Sequence, residues 1–150
     1  MELTAVQSFA LRPIDRPGSD GAAASELLRD GAAVGTVVEG AVLEAQYETD
    51  CGEILLFATD DSPYEEQLHI YLLDSDSQVQ ESLHIGQAYT PGILKDLRAD
   101  PGDSVTFRFF SDGSFRLRLL DEPKRQWGSP RGVRSKPGAF AKRRLELKVG

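Results

Sequence analysis

From Val34 onward the chain is a succession of short segments in which apolar and polar residues alternate every second position, with turn-forming residues between them. A period of two sends successive side chains to opposite faces of an extended backbone, so each segment can bury one face and leave the other in water. Seven strands are expected. Residues 41–48 and the more apolar residues 54–59, joined by Thr49-Asp50-Cys51-Gly52, form one hairpin. Residues 67–73 and 79–85, joined across Asp74-Ser75-Asp76-Ser77-Gln78, form a second, and residues 104–110 and 114–120 a third around Ser111-Asp112-Gly113. In the third hairpin a three-residue loop with Gly113 left-handed pairs Phe109 with Phe115, Phe107 with Leu117 and Val105 with Leu119. That register gathers Arg108, Arg116 and Arg118 on the other face. Residues 140–149 give the last strand.

Residues 1–33 are small, Pro- and Gly-containing and weakly patterned, and read as an N-terminal arm with a short helix at residues 22–29 between Asp20 and Gly31. Thr90 followed by Pro91 suggests a second short helix over residues 90–97. Hairpins in succession without long helices imply a mostly β fold, an antiparallel meander of about seven strands forming a β-sandwich or partly open barrel with one or two short helices. Residues 34–150 make a single β domain that includes a basic loop at 122–139.

Charge is divided along the chain. Residues 1–100 carry 19 acids and 5 bases, whereas residues 101–150 carry 5 acids and 12 bases. Between Arg29 and Lys95 there is no Lys or Arg, but there are 13 acids. A surface built from this window attracts cationic partners and speeds their association. The carboxylates in or near turns, Asp60, Asp61, Glu65, Glu66, Asp74 and Asp76, are the expected contact surface, with Tyr64 and Tyr71 as aromatic anchors. The stretch from Lys124 to Arg144 is basic and holds Trp127, a combination that suits phosphate backbones and bases. The net charge of −7 argues against a nucleic-acid partner, and the basic stretch is better read as folding against acids of its own chain or of a second copy. A monomer or homodimer is expected.

The single cysteine, Cys51, excludes an internal disulfide, and the acidic N-terminus lacks the basic and apolar regions of a secretory signal, so a cytoplasmic location is expected. No apolar run approaches the ~20 residues of a membrane-spanning helix. No Gly-x-Ser-x-Gly elbow, phosphate-binding glycine motif or EF-hand loop is present, which leaves no catalytic residue to name.

The only two histidines lie in a repeated tripeptide, Leu68-His69-Ile70 and Leu83-His84-Ile85. Antiparallel pairing of the second hairpin sets His69 directly opposite His84. Two facing imidazoles with acidic neighbours suit zinc, nickel or copper, although the sequence names no third ligand. The alternative is that both rings lie on the solvated face of the hairpin and bind no cofactor.

The run from Glu53 through Ile54-Leu55-Leu56-Phe57-Ala58-Thr59-Asp60-Asp61-Ser62-Pro63-Tyr64-Glu65-Glu66 and on through Leu68-His69-Ile70-Tyr71-Leu72-Leu73-Asp74 resembles small acidic bacterial proteins encoded beside toxins. The resemblance covers residues 34 to 120 and implies an immunity protein, a non-enzymatic inhibitor that occludes a basic toxin domain with an acidic face. Two other readings stand beside it. One is a β-sandwich that binds, or hydrolyses, a small ligand or carbohydrate through Trp127, Tyr89 and carboxylates; the other is self-assembly of acidic face onto basic tail.

Overall fold

The computed structural model describes residues 2–17, 23–61, 66–86, 92–109, 114–126, 132–138 and 141–149. Among these residues every regular element is a β-strand. The centre of the molecule is the pair β6 (Ile54–Thr59) and β7 (Leu68–Leu73), in which every residue is buried. They lie inside a six-stranded antiparallel sheet with β1 (Leu3–Ala5), β5 (Val42–Thr49), β8 (Val79–Ile85) and β12 (Val133–Lys136), in the order β1-β5-β6-β7-β8-β12. Two further antiparallel sheets complete the fold. One has the order β13 (Lys142–Val149), β11 (Phe115–Arg125), β10 (Ser104–Arg108), β9 (Lys95–Ala99). The other comprises β2 (Phe9–Pro17), β3 (Ala23–Arg29) and β4 (Ala32–Glu39), with β3 in the middle.

Each face of the large sheet meets a different partner. Leu55, Phe57, Ile70, Leu72, Leu83 and Ile85 pack against Val105, Phe107, Leu117, Leu119 and Leu145 of the four-stranded sheet. Edge-to-face contact of Phe57 on Phe107, with centroids 5.8 Å apart, and stacking of Phe107 on Phe115 at 5.4 Å run through this layer. On the opposite face, Ile54, Leu56, Tyr71 and Leu73 pack against Phe9, Leu27 and Val38 of the three-stranded sheet. The near-continuous apolar run Ile54-Leu55-Leu56-Phe57-Ala58 is what a strand covered on both sides requires.

The first two hairpins have the expected partners, and His69 stands opposite His84. Several other expectations are corrected. Among the described residues neither short helix is present, residue 22 of the first lying outside them. Residues 23–29 are β3, which hydrogen-bonds to a strand on each side and buries Ala24, Ser25 and Leu27. Helix propensity, worth at most ~0.7 kcal/mol for an ordinary residue, is overridden by that pairing and burial. Of the span 90–97, residues 90 and 91 lie outside the described residues, whereas Lys95–Ala99 is β9, paired with β10. The third hairpin keeps the expected parity but slips by two residues, pairing Phe107 with Phe115 and Val105 with Leu117. Phe109 leaves the ladder to pack over Gly92, where an added Cβ would come within 2.5 Å of its ring, and its carbonyl accepts the Ile93 N–H at 2.9 Å. Arg108, Arg116 and Arg118 are exposed on the face away from the core.

The segment read as an arm thus supplies β1, the whole of β2 and β3, and the start of β4. If it is a structural layer, Leu27→Ala, at a fully buried position, should lower global stability by about 2–5 kcal/mol in urea unfolding. A midpoint unchanged from wild type would mean that this sheet is a detachable appendage.

Candidate functional site

The inner face of β7 and β8 toward the three-stranded sheet carries His69, Tyr71 and His84. Both imidazoles are buried, at 0% and 5% exposure, so the solvated-face reading is not what the structure shows. The two Nδ1 atoms are 2.7 Å apart. On the far side of each ring a second polar group fixes its orientation: His69 Nε2 lies 2.7 Å from Asp60 Oδ1, and His84 Nε2 lies 3.1 Å from Ser82 Oγ. Glu39 approaches from the end of β4, its Oε2 being 3.6 Å from His69 Nδ1 and 3.7 Å from His84 Nδ1.

Local backbone chemistry puts Glu39 there. Gly40 has φ of +122°, and a Cβ on it would lie 2.8 Å from that of Ala58, so only glycine lets the β4–β5 junction pass so close to β6. The junction is held on both sides. Ser25 Oγ donates to the Gly40 carbonyl at 2.6 Å, and the Ala41 N–H donates to the Thr59 carbonyl at 2.7 Å. The Tyr71 hydroxyl clamps Glu39 itself, accepting its N–H at 2.8 Å and donating to its carbonyl at 3.0 Å. Burial, the main cause, raises the Tyr71 phenol well above its ordinary value, with the Glu39 and Asp60 carboxylates reinforcing the shift and the Glu39 backbone bond opposing it. Nothing local in the sequence singles out Glu39, one acid among the 13 of its window and 30 positions before His69.

The expected partner-binding residues divide between the two ends of β7. Asp60, Asp61 and Glu66 sit at its start, where Asp60 faces His69 and Glu66 Oε1 accepts the Asp60 N–H at 2.6 Å. Asp61 is exposed. Asp74 and Asp76 lie at the other end, roughly 20 Å away for six residues of extended chain. Asp74 caps its own turn, accepting the N–H groups of Asp76 and Gln78 at 2.9 and 3.0 Å. Tyr71 is buried in the centre described above, and Tyr64 and Glu65 fall outside the described residues, as do Trp127 and Tyr89 of the ligand-binding reading.

Part of the basic tail meets the acidic region of its own chain. Glu81 of β8 accepts the N–H groups of Arg144 and Leu145 on β13 at 2.8 and 3.0 Å, joining the large sheet to the four-stranded one. The Arg144 guanidinium pairs with Glu53, whose hydrogen bond is the main cause raising its pKa, and also donates to the Leu120 carbonyl. Comparison with protein-family models, curated proteins and solved structures returns no match. Among the described residues no helix is long and apolar enough to cross a membrane.

Because the folded state holds the Tyr71 proton more tightly than the unfolded chain, whose phenol titrates near ~10, the associated stability is complete below that pH and is lost as pH rises above it. Tyr71→Phe should therefore flatten the fall in unfolding midpoint between roughly pH 9.5 and 11. An identical alkaline profile in the variant would show that the hydroxyl is not held as described.

Proposed function

We propose that the protein is a non-enzymatic binding protein, a β-sandwich scaffold that engages a basic protein partner through the acidic turns at one end of its large sheet. The observation that carries this reading is the grouping of three acidic turns. Asp30, Asp50 and Asp76 are exposed on the β3–β4, β5–β6 and β7–β8 connections, with half-buried Asp74 beside Asp76. Arg29 Nη1 donates to the Ser75 carbonyl at 3.1 Å and Thr36 Oγ1 donates to that of Ser77 at 2.8 Å, while a Cβ added at Gly52 would come to 3.7 Å from that of Ser75. The β7–β8 turn, held through Ser75 and Ser77 and capped by Asp74, presents its charges with little ordering entropy left to lose on binding. Asp60 and Glu66, by contrast, are engaged around the buried histidines, which leaves the Asp74–Asp76 end as the better contact surface.

The resemblance to immunity-type proteins gives the partner's class, a cationic toxin domain. A small-ligand reading draws on one observation of its own, an open cleft of about 510 Å³ lined by Asp96, Leu97 and Arg98 of β9, Thr106, Phe107 and Arg108 of β10, and Ser114. Its apolar floor and two arginines suit a small anionic molecule, and its volume falls within the ~300–1,000 Å³ usual for ligand sites.

Surface plasmon resonance against the basic proteins encoded in neighbouring reading frames tests the main reading. One of them should bind with an association rate that falls as salt rises, and the double reversal Asp50→Lys/Asp76→Lys should slow association about tenfold and flatten that dependence. Unchanged rates would remove this end of the molecule as the contact, and the absence of any binding neighbour would overturn the reading.

A further inference from the structure

His69, His84 and Glu39 bring three electron-pair donors to one largely buried point between two sheets, beside the β4–β5 junction that connects them. We propose that these three side chains form a binding site for a single divalent transition-metal ion, zinc in the first place, which ties the end of β4 to the β7–β8 hairpin. The proposal is independent of the acidic-turn reading above.

Distances come first. A tetrahedral zinc ion with bonds of ~2.0–2.1 Å holds its ligand atoms ~3.3 Å apart. The three separations here, 2.7 Å between the Nδ1 atoms and 3.6 and 3.7 Å from them to Glu39 Oε2, bracket that value. Seating the ion asks the two rings to part by only ~0.6 Å while Glu39 draws in by a few tenths. The ligand atoms of all three residues already lie within 4.8 Å of one another.

Orientation is the second support. An ionised Asp60 carboxylate can only accept, so in the neutral ring it takes the Nε2–H of His69 and leaves a lone pair on Nδ1, aimed at the centre. A carboxylate behind a ligating histidine is the usual means of fixing the tautomer and raising the basicity of the ring. Ser82 serves His84 in a different way, because a hydroxyl rotates to donate or accept. When Ser82 donates to Nε2, His84 Nδ1–H donates to His69 and a chain runs from Ser82 through both rings to Asp60. When Ser82 accepts, both Nδ1 lone pairs and the Glu39 carboxylate face one another, an arrangement that a cation holds together. The switch from hydrogen-bonded chain to metal ligands needs one tautomer change and one hydroxyl rotation.

Chemistry of the donor set then selects the ion. Two imidazoles and one carboxylate suit zinc and its transition-metal neighbours, whereas calcium and magnesium prefer oxygen ligands throughout. Three protein ligands leave a fourth position for water. Glu39, whose side chain is 16% exposed, marks the side from which water and the ion enter.

The test uses the full chain after treatment with a chelator. Calorimetric titration with zinc chloride should show one ion bound per chain, cobalt(II) should give the visible bands of a low-coordinate nitrogen- and oxygen-ligated site, and magnesium chloride should give no heat. Asp60→Asn, which keeps the shape of the residue behind His69, should weaken zinc binding about 10–100-fold, and Glu39→Gln should weaken it further. A buried histidine is a poor place for a first substitution, so nitrogen NMR of the wild-type imidazoles provides the second reading: zinc should move both Nδ1 resonances and leave both Nε2 atoms protonated. No binding by wild type, coordination through Nε2, or equal affinity in Glu39→Gln and wild type would each overturn the proposal.

Discussion

All six residues of β6 and all six of β7 are buried, and this burial on both faces dictates the layers around them. A strand of alternating pattern is content with one covering layer. A strand such as Ile54-Leu55-Leu56-Phe57-Ala58-Thr59 presents large apolar side chains in both directions and needs two. The four-stranded sheet covers Leu55 and Phe57, and the three-stranded sheet covers Ile54, Leu56, Tyr71 and Leu73. Leaving the second group in water would forfeit roughly 1.5–3 kcal/mol for each large apolar side chain, against a total stability of roughly 5–15 kcal/mol for a domain. The N-terminal residues are therefore part of the core.

The buried polar centre follows from the same layering. Once Phe9, Leu27 and Val38 close over the inner face of β7, the polar groups of His69, Tyr71 and His84 have lost water and must find partners within the protein. They find them in Asp60, Ser82 and the backbone of Glu39, and reach them through a junction that Gly40 allows to pass close. Glu81 is the counterpart between the other two layers, a buried carboxylate satisfied by two backbone donors of β13. Beside it, Glu53 pairs with the Arg144 guanidinium, so both contacts between the large sheet and its neighbours have carboxylates bonding across them.

How much of this was legible depended on where a strand sits. Of the seven strands expected from the alternating pattern all but the edge strand β13 are internal, and β5 to β8, β10, β11 and β13 lie close to where they were placed. The missed strands are nearly all at sheet edges: β1, β2, β4, β9 and β12. An edge strand pairs on one side only, so it tolerates Pro13 in β2 and polar runs such as Val133-Arg134-Ser135-Lys136, and its pattern is weak. β3 is the exception, an internal strand whose Ala, Leu, Glu and Arg content reads as helix. Missing that sheet hid the cover over His69 and His84. The facing register of the two rings was readable from local hairpin geometry, whereas their burial and the approach of Glu39 depend on a contact made across 30 residues of chain.

The central claim is that the three-stranded sheet folds as one unit with the strands it covers. Native-state amide hydrogen exchange on the intact protein tests it most directly, because protection reports the free energy of the opening that exposes each amide. Amides of β3, at Leu27 and Leu28, should exchange through the same global opening as those of β7, at Ile70 and Tyr71. Exchange of β3 through a low-energy local opening while β7 stays fully protected would contradict the account.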